Sequence, residues 1–339
     1  MEILCGHAEA QQSNSEGHIS IRLPRVDSCL DSLGGATYFT SLDLRQVYWQ
    51  VGMDEQSSLK TAFVTRRGVF KFNVLPCGLC NAPETFQRLM DLVLSGLTWT
   101  TCLVYLDDVV VFSSNFEDHV LRLQQVFDRL KQANLKLKAS KCRLFQRKIK
   151  FLESIVSQEG IAPDPAKVEA VVNWPVPTNL TELRSFTALA AYYRKFVNGF
   201  AAIAKPLFEL TQKGRPFIWT TSQQNAFEQL KRCLAKAPVL AMPLENGEYW
   251  LDTDASDIAL GAVLQQIQNG EPKVIAYASR VLTRSERSYS VSKREQLAVV
   301  YGLKQFRHFM LARHFILHVD HAALTYLLKT PQPVGQSAR

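Results

Sequence analysis

The amino-acid sequence predicts an α+β chain with two or three compact units. Its 339 residues are enough for that number of units, and a hydrophobic content of 47% supports buried cores rather than disorder. Three patterns indicate the class: paired apolar runs around Asp107 and Asp108, helical periodicity from Asp164 to Leu210, and alternating runs that begin at Tyr249.

The paired apolar runs, Cys102–Val104 and Val109–Phe112, predict two buried strands joined by a tight turn that carries Asp107 and Asp108. Adjacent carboxylates beside a core repel each other and are costly to desolvate unless cations neutralise them. Magnesium takes its oxygen ligands from such acids. From these residues alone, a polar turn is as good an explanation as a metal site, because Asp is common in turns.

Downstream of this pair, Ser114 and Glu117 have the spacing of a capping box that opens a helix. The helix is predicted to turn an apolar face to the core through Val120, Leu123, Phe127 and Leu130. Alternating apolar and basic residues then predict half-buried strands around Leu135 and Leu137 and around Ile149 and Phe151.

The central part of the chain predicts helices. Asp164 followed by Pro165 is a strong helix start. A second helix is expected from near Thr178 to Asn198–Gly199, and a third through Ile203, Leu207 and Leu210. One more amphipathic helix is expected between Pro216 and Pro243.

From Tyr249 the periodicity changes to that of strands. Three runs form a predicted meander: Tyr249–Thr253, Ala259–Gln265 and Val274–Tyr277. A helix near Lys293–Phe309, a strand at Phe315–Val319 and a short helix from His321 complete the pattern.

The charge of the chain favours a polyanionic partner. Net charge is +8 with a pI near 9.1. From Arg129 to Lys150 there are nine Lys or Arg residues and no acid. Such a run is either a solvated face or a contact for a phosphate backbone.

Composition also bears on location. No apolar stretch reaches the length of a membrane span, and Met1–Ala10 is not a signal peptide. We therefore expect a cytoplasmic or nuclear protein that is not secreted and has no membrane partner. Seven scattered cysteines indicate reduced thiols.

Two further groups are weak metal-site candidates. Cys77 and Cys80 form a CxxC, but no second pair stands at zinc spacing. His314, His318 and His321 cluster, and a surface or interface role is favoured because nothing completes a ligand set.

Short motifs along the chain, taken in order, resemble one family. Tyr105–Asp108 is the most specific of them. The others are Leu23–Asp27, Leu33–Ala36, Phe39–Arg45, Lys60–Phe63, Gly78–Gln87, Val156–Ile161, Tyr192–Phe196, Thr253–Asp257 and Tyr277–Arg280. Their order resembles the reverse transcriptase and ribonuclease H of gypsy-type LTR retrotransposon Pol polyproteins, over about residues 20–330.

The resemblance implies an architecture. It implies a polymerase palm at 21–156, an antiparallel sheet with helices, preceded by a poorly placed N-terminus at 1–20. A helical thumb would follow at 157–215 and a connection at 216–243. A partial ribonuclease H-like mixed α/β domain would occupy 244–339.

For the polymerase, the resemblance implies that Asp43, Asp107 and Asp108 are catalytic and bind two Mg²⁺ or Mn²⁺ ions. Two such ions, roughly 3.5–4 Å apart, neutralise charge on the attacking and leaving oxygens of phosphoryl transfer. Taken alone, Asp43 is better explained as an acid at a strand end. Tyr48, Cys77 and Gly78 would bind the incoming dNTP, although a core tyrosine explains Tyr48 equally well.

The resemblance also implies contacts to nucleic acid. Gln87 and Arg88 would touch the template, with a solvated helix face as the alternative, and Lys136, Lys138 and Lys141 would bind phosphates. In the ribonuclease H module, Asp254, Glu295 and Asp320 would be catalytic acids that bind two further ions, while Asp257 is structural. The implied partners are an RNA template, a DNA primer, an RNA–DNA hybrid, dNTPs and other Pol domains.

The chain departs from the family pattern at several positions. Val47, Glu153, Ala188 and Ala191 stand where glycine is usual, which is costly wherever the backbone needs a positive φ. The fingers, a final helix and a fourth acid are expected to be missing, with activity impaired as a result. The alternative function is a non-catalytic nucleic-acid-binding relic of a retroelement.

Overall fold

The computed structural model describes residues 24–320, which divide into two compact units. Within that range, unit 1 contains the residues up to Leu152 together with Val156–Gln158. Unit 2 contains Glu153–Ile155 and the residues from Glu159 onward. The predicted thumb, connection and ribonuclease H-like segments therefore share one unit, and the finer boundaries at 157, 216 and 244 stay predictions.

Unit 1 combines a sheet with four helices in the described range. The helices are α1 (Val26–Asp31), α2 (Glu55–Leu59), α3 (Ala82–Val93) and α4 (Phe116–Gln132). The strands are β1 (Tyr38–Asp43), β2 (Phe63–Thr65), β3 (Gly68–Phe70), β4 (Cys102–Tyr105), β5 (Asp108–Ser113) and β6 (Arg143–Gln146). Strand order in the main sheet is β4-β5-β1-β6, and β2 and β3 form a separate hairpin.

Strands β4 and β5 confirm the predicted buried pair around Asp107 and Asp108. Their inward side chains, including Val104 and Val109, pack with Phe86 and Met90 of α3 and with Leu123 of α4. This core fixes the two helices to the sheet.

The start and the buried face of α4 differ from the prediction by about one residue. The side chain of Asn115, rather than Ser114, caps the helix by accepting a hydrogen bond from the Asp118 backbone N–H at 2.8 Å. The buried face contains His119 and Val126, whereas Val120 and Phe127 are exposed. A histidine can lie on this face because both of its ring nitrogens have hydrogen-bond partners.

Three short strands carry the chain from unit 1 into unit 2: β7 (Lys148–Phe151), β8 (Ser154–Ser157) and β9 (Gly160–Pro163). The turn between β7 and β8 is Leu152–Glu153, and both residues have positive φ, 48° and 54°. Glycine is favoured in this left-handed region. Glu153 therefore replaces the family's usual glycine at a position where the backbone favours glycine.

Unit 2 begins with the predicted helices. They are α5 (Pro165–Val172), α6 (Leu180–Tyr192), α7 (Phe200–Leu210) and α8 (Thr221–Ala235). The predicted start at Asp164–Pro165 is confirmed, and the Asp164 side chain accepts from the Ala166 backbone N–H. Helix α6 ends at Tyr192, earlier than predicted, and is followed by a 3-10 turn at Arg194–Phe196.

The rest of unit 2 is a four-stranded mixed sheet with two helices. Strand order is β12-β11-β10-β13, with β13 parallel to β10. The elements are β10 (Tyr249–Ala255), β11 (Ala259–Gln268), β12 (Glu271–Val281), α9 (Val291–Gln305), α10 (Arg307–Met310) and β13 (Phe315–Val319). This order confirms the predicted meander, helix and strand, while the helix expected from His321 lies outside the described residues.

No helix between residues 24 and 320 has both the length and the apolar character needed to cross a membrane. The expectations about residues 1–20 and about a final helix likewise concern parts of the chain outside the described range.

Candidate active sites

The first site lies where β1 and β5 end beside the β4–β5 turn. Antiparallel pairing puts Asp43 directly opposite Asp108, and Tyr105 pairs with Asp108 across the hairpin. The turn itself is Leu106–Asp107. Three aspartates that are up to 65 positions apart in the sequence (43, 107 and 108) therefore meet at one end of the sheet.

The turn is held from below by a buried amide. Leu106 has a φ of +53°, an uncommon conformation for a residue with a side chain. Gln87 is 2% exposed, and its Oε1 accepts a hydrogen bond from the Leu106 backbone N–H at 2.8 Å. Its Nε2 donates to Asp91 Oδ1 at 3.0 Å and to the Val104 carbonyl at 3.4 Å.

This placement corrects the expectation that Gln87 contacts a template. Its amide is committed to the turn and has almost no exposed surface, so it supports the site without lining it. Arg88, the next residue, is exposed on α3. Sequence reasoning missed the role of Gln87 because nothing local relates it to a turn that follows 19 positions later.

Tyr48 joins the site from a 3-10 turn at Val47–Gln50. Its hydroxyl hydrogen-bonds the Asp107 carboxylate, while its ring meets Phe86 edge-on at 6.2 Å. Tyr48 thus packs on the core, and its hydroxyl reaches an acid of the site. Its contact with an incoming dNTP stays a prediction.

The acids at this site repel one another. Burial raises the pKa of the Asp107 carboxyl, and the negative charge of Asp43 raises it further, against the lowering effect of the Tyr48 hydrogen bond. Burial also raises the pKa of Tyr48, followed by the charge of Asp107 and the nearby Cys77 thiol. Cys77 therefore lies near Tyr48.

Cys77 and Gly78 form an exposed turn before α3. Gly78 has a φ of +97°, which strains any residue with a side chain, so glycine is needed here for its backbone.

The basic run borders Asp43. The Lys141 ammonium lies 3.2 Å from Asp43 Oδ2, and the Asp43 carbonyl accepts from the Lys138 backbone N–H at 2.8 Å. Gln50 holds the segment that precedes Lys138, because its Oε1 accepts from the Lys136 backbone N–H at 2.7 Å. This segment forms only an isolated bridge, Leu137 with Leu44, and not the strand predicted around Leu135 and Leu137. The side chains of Lys136 and Lys138 are exposed beside the acids.

The donor chemistry of this site suits a hard divalent cation, since three carboxylates gather and two of them repel. Within residues 24–320, however, no three His, Cys, Asp or Glu side chains are grouped closely enough to hold a metal ion. Lys141 supplies the positive charge beside Asp43. Metal binding at Asp43, Asp107 and Asp108 therefore requires these side chains to turn toward one another.

The second site lies at the end of the unit 2 sheet where strands β10 and β13 finish. These strands are parallel, and Thr253 pairs with Val319. Asp254 follows Thr253 and Asp320 follows Val319, so both acids lie at the same end of the sheet.

Helix α9 packs on the face of the sheet that contains Thr253 and carries Glu295 near its start. Ala298 and Gly302 share its buried face, and a Cβ added to Gly302 would lie 3.1 Å from Thr253 Cγ2. Ala298 packs further along, beside Leu260. Glu295 lies one turn beyond and is buried, next to Arg294, which forms an ion pair with Asp257. The structural role expected for Asp257 fits that ion pair.

One pair beside this site was missed by sequence reasoning. His318 Nδ1 lies 2.7 Å from Asp252 Oδ1, and Gln265 donates to the other oxygen of the same carboxylate. The alternation of Asp252 with Asp254 on one face of β10 was the available signal. His314 lies apart from His318, 3.5 Å from Glu248, and His321 is outside the described residues.

Comparison with known proteins gives two family matches. Residues 7–155 match the profile described as reverse transcriptase (RNA-dependent DNA polymerase). Residues 219–317 match the profile described as an RNase H-like domain found in reverse transcriptase.

Curated relatives agree with these matches. The chain is 43% identical over 319 residues to the retrovirus-related Pol polyprotein from transposon 297 of Drosophila melanogaster, covering 94% of this chain and 30% of the relative. It is 37% identical to the Pol polyprotein from transposon gypsy of the same organism, covering 90% and 30%. The transposon Tf2-3 polyprotein of Schizosaccharomyces pombe is 34% identical, over 85% and 22%. The chain thus spans less than a third of the length of these relatives.

Solved structures agree on the fold. A foamy viral protease-reverse transcriptase in complex with double-stranded DNA superposes with a TM-score of 0.83 at 24% identity, covering 95% of this chain and 67% of that one. A second foamy viral structure, also with double-stranded DNA, has the same TM-score and covers 92% and 55%. The predicted palm, thumb and ribonuclease H-like architecture is confirmed as a fold by this likeness.

Proposed function

The chain belongs to the gypsy-type family of retrotransposon Pol polyproteins and carries its reverse transcriptase and RNase H-like domains, and we propose that unit 1 synthesises DNA on an RNA template while unit 2 cleaves RNA in RNA–DNA hybrids. The relatives are several times longer, so these activities are proposals for this chain. Its partners would be an RNA template, a DNA primer, their hybrid, dNTPs and the remaining Pol domains.

The observation that supports polymerase activity best is the pairing of Asp43 with Asp108 at the braced β4–β5 turn. Asp43, Asp107 and Asp108 would hold Mg²⁺ or Mn²⁺, which when bound would neutralise charge on the attacking and leaving oxygens. The protein's own groups prepare the site. Tyr48 orients the Asp107 carboxylate, and Gln87 fixes the backbone that presents it.

The surrounding side chains suit the substrates. The exposed turn of Cys77 and Gly78 lies close to Tyr48, and we assign these three residues to the incoming dNTP. Arg88, Lys136 and Lys138 are exposed cations for the phosphates of the template and primer. Lys141 compensates the charge of Asp43 and lies where a substrate phosphate would find a cation.

Ribonuclease H activity is supported by the positions of Asp254 and Asp320 at one end of the sheet and by Glu295 on the helix that packs on it. Asp254 and Asp320 leave neighbouring parallel strands, and the glutamate on the helix is buried. These acids would hold divalent ions of the same kind, and when bound the ions would activate water and stabilise the leaving oxygen.

The test asks whether each activity of the full chain is lost with its own site and not with the other. Primer extension on an RNA template and cleavage of a labelled RNA–DNA hybrid are measured in one preparation, with magnesium or manganese. Asp108→Asn should reduce extension by at least about 10³-fold and leave cleavage intact, and Asp254→Asn should do the reverse. Asp128→Asn, an exposed acid on α4, is the matched control and should change neither.

Three outcomes would overturn the proposal. Extension that survives Asp108→Asn, or cleavage that survives Asp254→Asn, would come from a contaminating enzyme. Tight hybrid binding without turnover by the unaltered chain would favour the non-catalytic nucleic-acid-binding relic instead.

A further inference from the structure

The β2–β3 hairpin of unit 1 takes no part in the sites described above. We define the aromatic hairpin as Lys60–Lys71, which contains both strands and a loop of two residues, Arg66 and Arg67. In the described part of the chain these strands pair only with each other. The loop is closed by the Arg67 backbone N–H, which donates to Thr65 Oγ1 at 3.1 Å.

The base of the aromatic hairpin is firmly attached to unit 1. Ser58 is buried and donates to the Phe72 carbonyl at 2.5 Å. The Phe72 backbone N–H in turn donates to Thr61 Oγ1 at 3.0 Å. The hairpin is therefore a braced projection rather than a loose loop.

Both faces of the projection expose apolar side chains. Val64 and Val69 pair across the strands on one face, with 76% and 70% of their surface exposed. On the other face, Phe63 stacks on Phe70 at 6.0 Å, and Phe70 remains 48% exposed. A soluble protein seldom leaves such a pair of faces uncovered without a partner.

Charge identifies the partner. The aromatic hairpin carries Lys60, Arg66, Arg67 and Lys71, all exposed, and the sequence contains no acid from Gln56 to Pro83. Within residues 24–320 no ion pair joins any of these four cations to a carboxylate. A second copy of the same hairpin would bring like charges together, whereas a polyanion would neutralise them.

We propose that the aromatic hairpin binds single-stranded nucleic acid. Exposed aromatic and apolar surface interleaved with cations matches what unpaired strands require, because bases stack on the apolar side chains and phosphates pair with the cations. A closed duplex hides its base faces and could use only the charges. The inference rests on the proposed function, which supplies a template with an unpaired stretch, and it gives that stretch a contact separate from the catalytic aspartates.

The first experiment measures binding of a fluorescent 15-nucleotide oligo(dT) and of a blunt 20-base-pair DNA duplex to the full chain, without metal or dNTP. Arg66→Gln/Arg67→Gln should weaken oligo(dT) binding by roughly tenfold at low salt and reduce the slope of log affinity against log salt by about 1.4, the value for two phosphate contacts on a single strand. Duplex binding should change less than twofold. Lys213→Gln/Arg215→Gln, two exposed cations in unit 2, is the charge-matched control and should leave oligo(dT) binding unchanged.

A second variant tests the apolar face without changing charge. Val64→Thr/Val69→Thr keeps β-branched side chains that suit a strand. It should weaken oligo(dT) binding about threefold with the salt slope unchanged, and circular dichroism should show wild-type melting.

Three results would overturn the inference. The first is wild-type oligo(dT) binding by Arg66→Gln/Arg67→Gln. The second is an equal loss of duplex binding, which would assign the hairpin to general charge attraction. The third is a concentration-dependent dimer that Val64→Thr/Val69→Thr abolishes, which would assign the face to a second copy. Failure of the proposed catalysis is distinguishable, because Asp108→Asn removes extension and should leave oligo(dT) binding intact.

Discussion

The two candidate sites use different strand geometry. In unit 1 an antiparallel hairpin delivers two acids in adjacent positions, and a neighbouring strand adds Asp43 directly opposite. In unit 2, Asp254 and Asp320 lie at one end of two parallel strands and are 66 positions apart in the sequence, while Glu295 lies on helix α9. A hairpin acid pair is visible in the sequence, whereas a site made by parallel strands exists only after long-range pairing.

The supports of the two sites differ in the same way. In unit 1 two of the three acids have a named neighbour, Tyr48 for Asp107 and Lys141 for Asp43, and Gln87 holds the turn. In unit 2 the carboxylate with hydrogen-bond partners is that of Asp252, which lies two residues before Asp254 on the same face of β10. His318 and Gln265 hold it. In unit 1 the supporting contacts are thus made to the predicted acids themselves, whereas in unit 2 they are made to a neighbouring residue of the strand that carries Asp254.

The largest expected contrast is in acid stability. His119 is buried behind the unit 1 sheet between Thr40 and Ser113, at 2.8 and 2.9 Å. Ser113 Oγ donates to the Asn115 carbonyl and therefore accepts from Nδ1–H, while Thr40 Oγ1 accepts from the Phe145 backbone N–H and donates to Nε2. Every partner is thus satisfied by the neutral ring. Burial, followed by the charge of Arg122, lowers the pKa of His119 from 6.5 to about 4.

Since the unfolded chain binds this proton more readily, the stabilisation is complete above pH 6.5 and is lost as the pH falls through 6.5 toward 4. The loss should reach about 3 kcal/mol in unit 1. In unit 2, the hydrogen bonds from Arg280 lower the pKa of Glu286 from 4.5 to about 2, so the stabilisation that Glu286 contributes is lost only as the pH falls between those two values.

Hydrogen exchange, corrected for its intrinsic pH dependence, should show unit 1 loosening first. His119→Gln should flatten the unit 1 response, and an unchanged response would refute the assignment.

The next contrast is between two buried glutamines. Gln87 braces the turn of the acids, and Gln266, fully buried in unit 2, braces Leu244 through its backbone N–H and carbonyl at 2.9 Å each. Either residue changed to Leu should cost about 1–3 kcal/mol in stability, because backbone groups lose their partner. Gln87→Leu should in addition reduce primer extension ten- to hundredfold at a temperature where both variants are folded. Equal extension by Gln87→Leu and Gln266→Leu would mean that the brace is only structural.

These glutamines illustrate what the sequence could and could not predict. The strands around Asp107 and Asp108, the helix start at Asp164 and the meander from Tyr249 follow from local periodicity and capping, and all are present. The burial of Gln87 and the buried face of α4 through His119 depend on partners far along the chain, and a polar residue predicts an exposed position by default.

The four positions that lack the family's usual glycine also differ in a property that the sequence does not show, the backbone conformation. Ala188 and Ala191 lie inside helix α6, where alanine is the better helix former, so the lost glycines cost nothing there. Val47 lies in a 3-10 turn without positive φ. Only Glu153 has the left-handed backbone that glycine suits. The sequence identified all four departures, and the backbone decides which of them matters.

A smaller contrast concerns the lysines beside the unit 1 site. Lys136 and Lys138 have exposed side chains, whereas the Lys141 ammonium faces Asp43 at 3.2 Å. Lys136→Gln/Lys138→Gln should weaken binding of a primer–template duplex severalfold and reduce the salt slope by up to about 1.8. Lys141→Gln should reduce the slope by less than half of that, because its charge is already partly compensated. Titrations over a range of salt concentrations measure both, and an equal effect per lysine would mean that the ion pair opens on binding.

The smallest expected effect lies at the junction of the units, where Glu153 occupies the second position of a two-residue turn with φ of +54°. Such turns favour glycine at this position, since a left-handed backbone strains a residue with a side chain. Glu153→Gly should therefore stabilise the chain by about 0.5–1 kcal/mol, the strain relieved exceeding the extra freedom of glycine in the unfolded state.

The ion pair of Glu153 with Lys167 at 3.2 Å would be lost, but both side chains are partly exposed, at 44% and 41%, and pairs near the surface contribute little. Glu153→Gln is the matched control, because it removes the charge and keeps the strained backbone, and it should leave the melting temperature nearly unchanged. Backbone contacts at this position, including the Glu153 carbonyl that accepts from the Tyr193 hydroxyl at 2.8 Å, are available to glycine as well. A lower melting temperature for Glu153→Gly than for Glu153→Gln would show that the side chain, rather than the backbone, decides the stability of this turn.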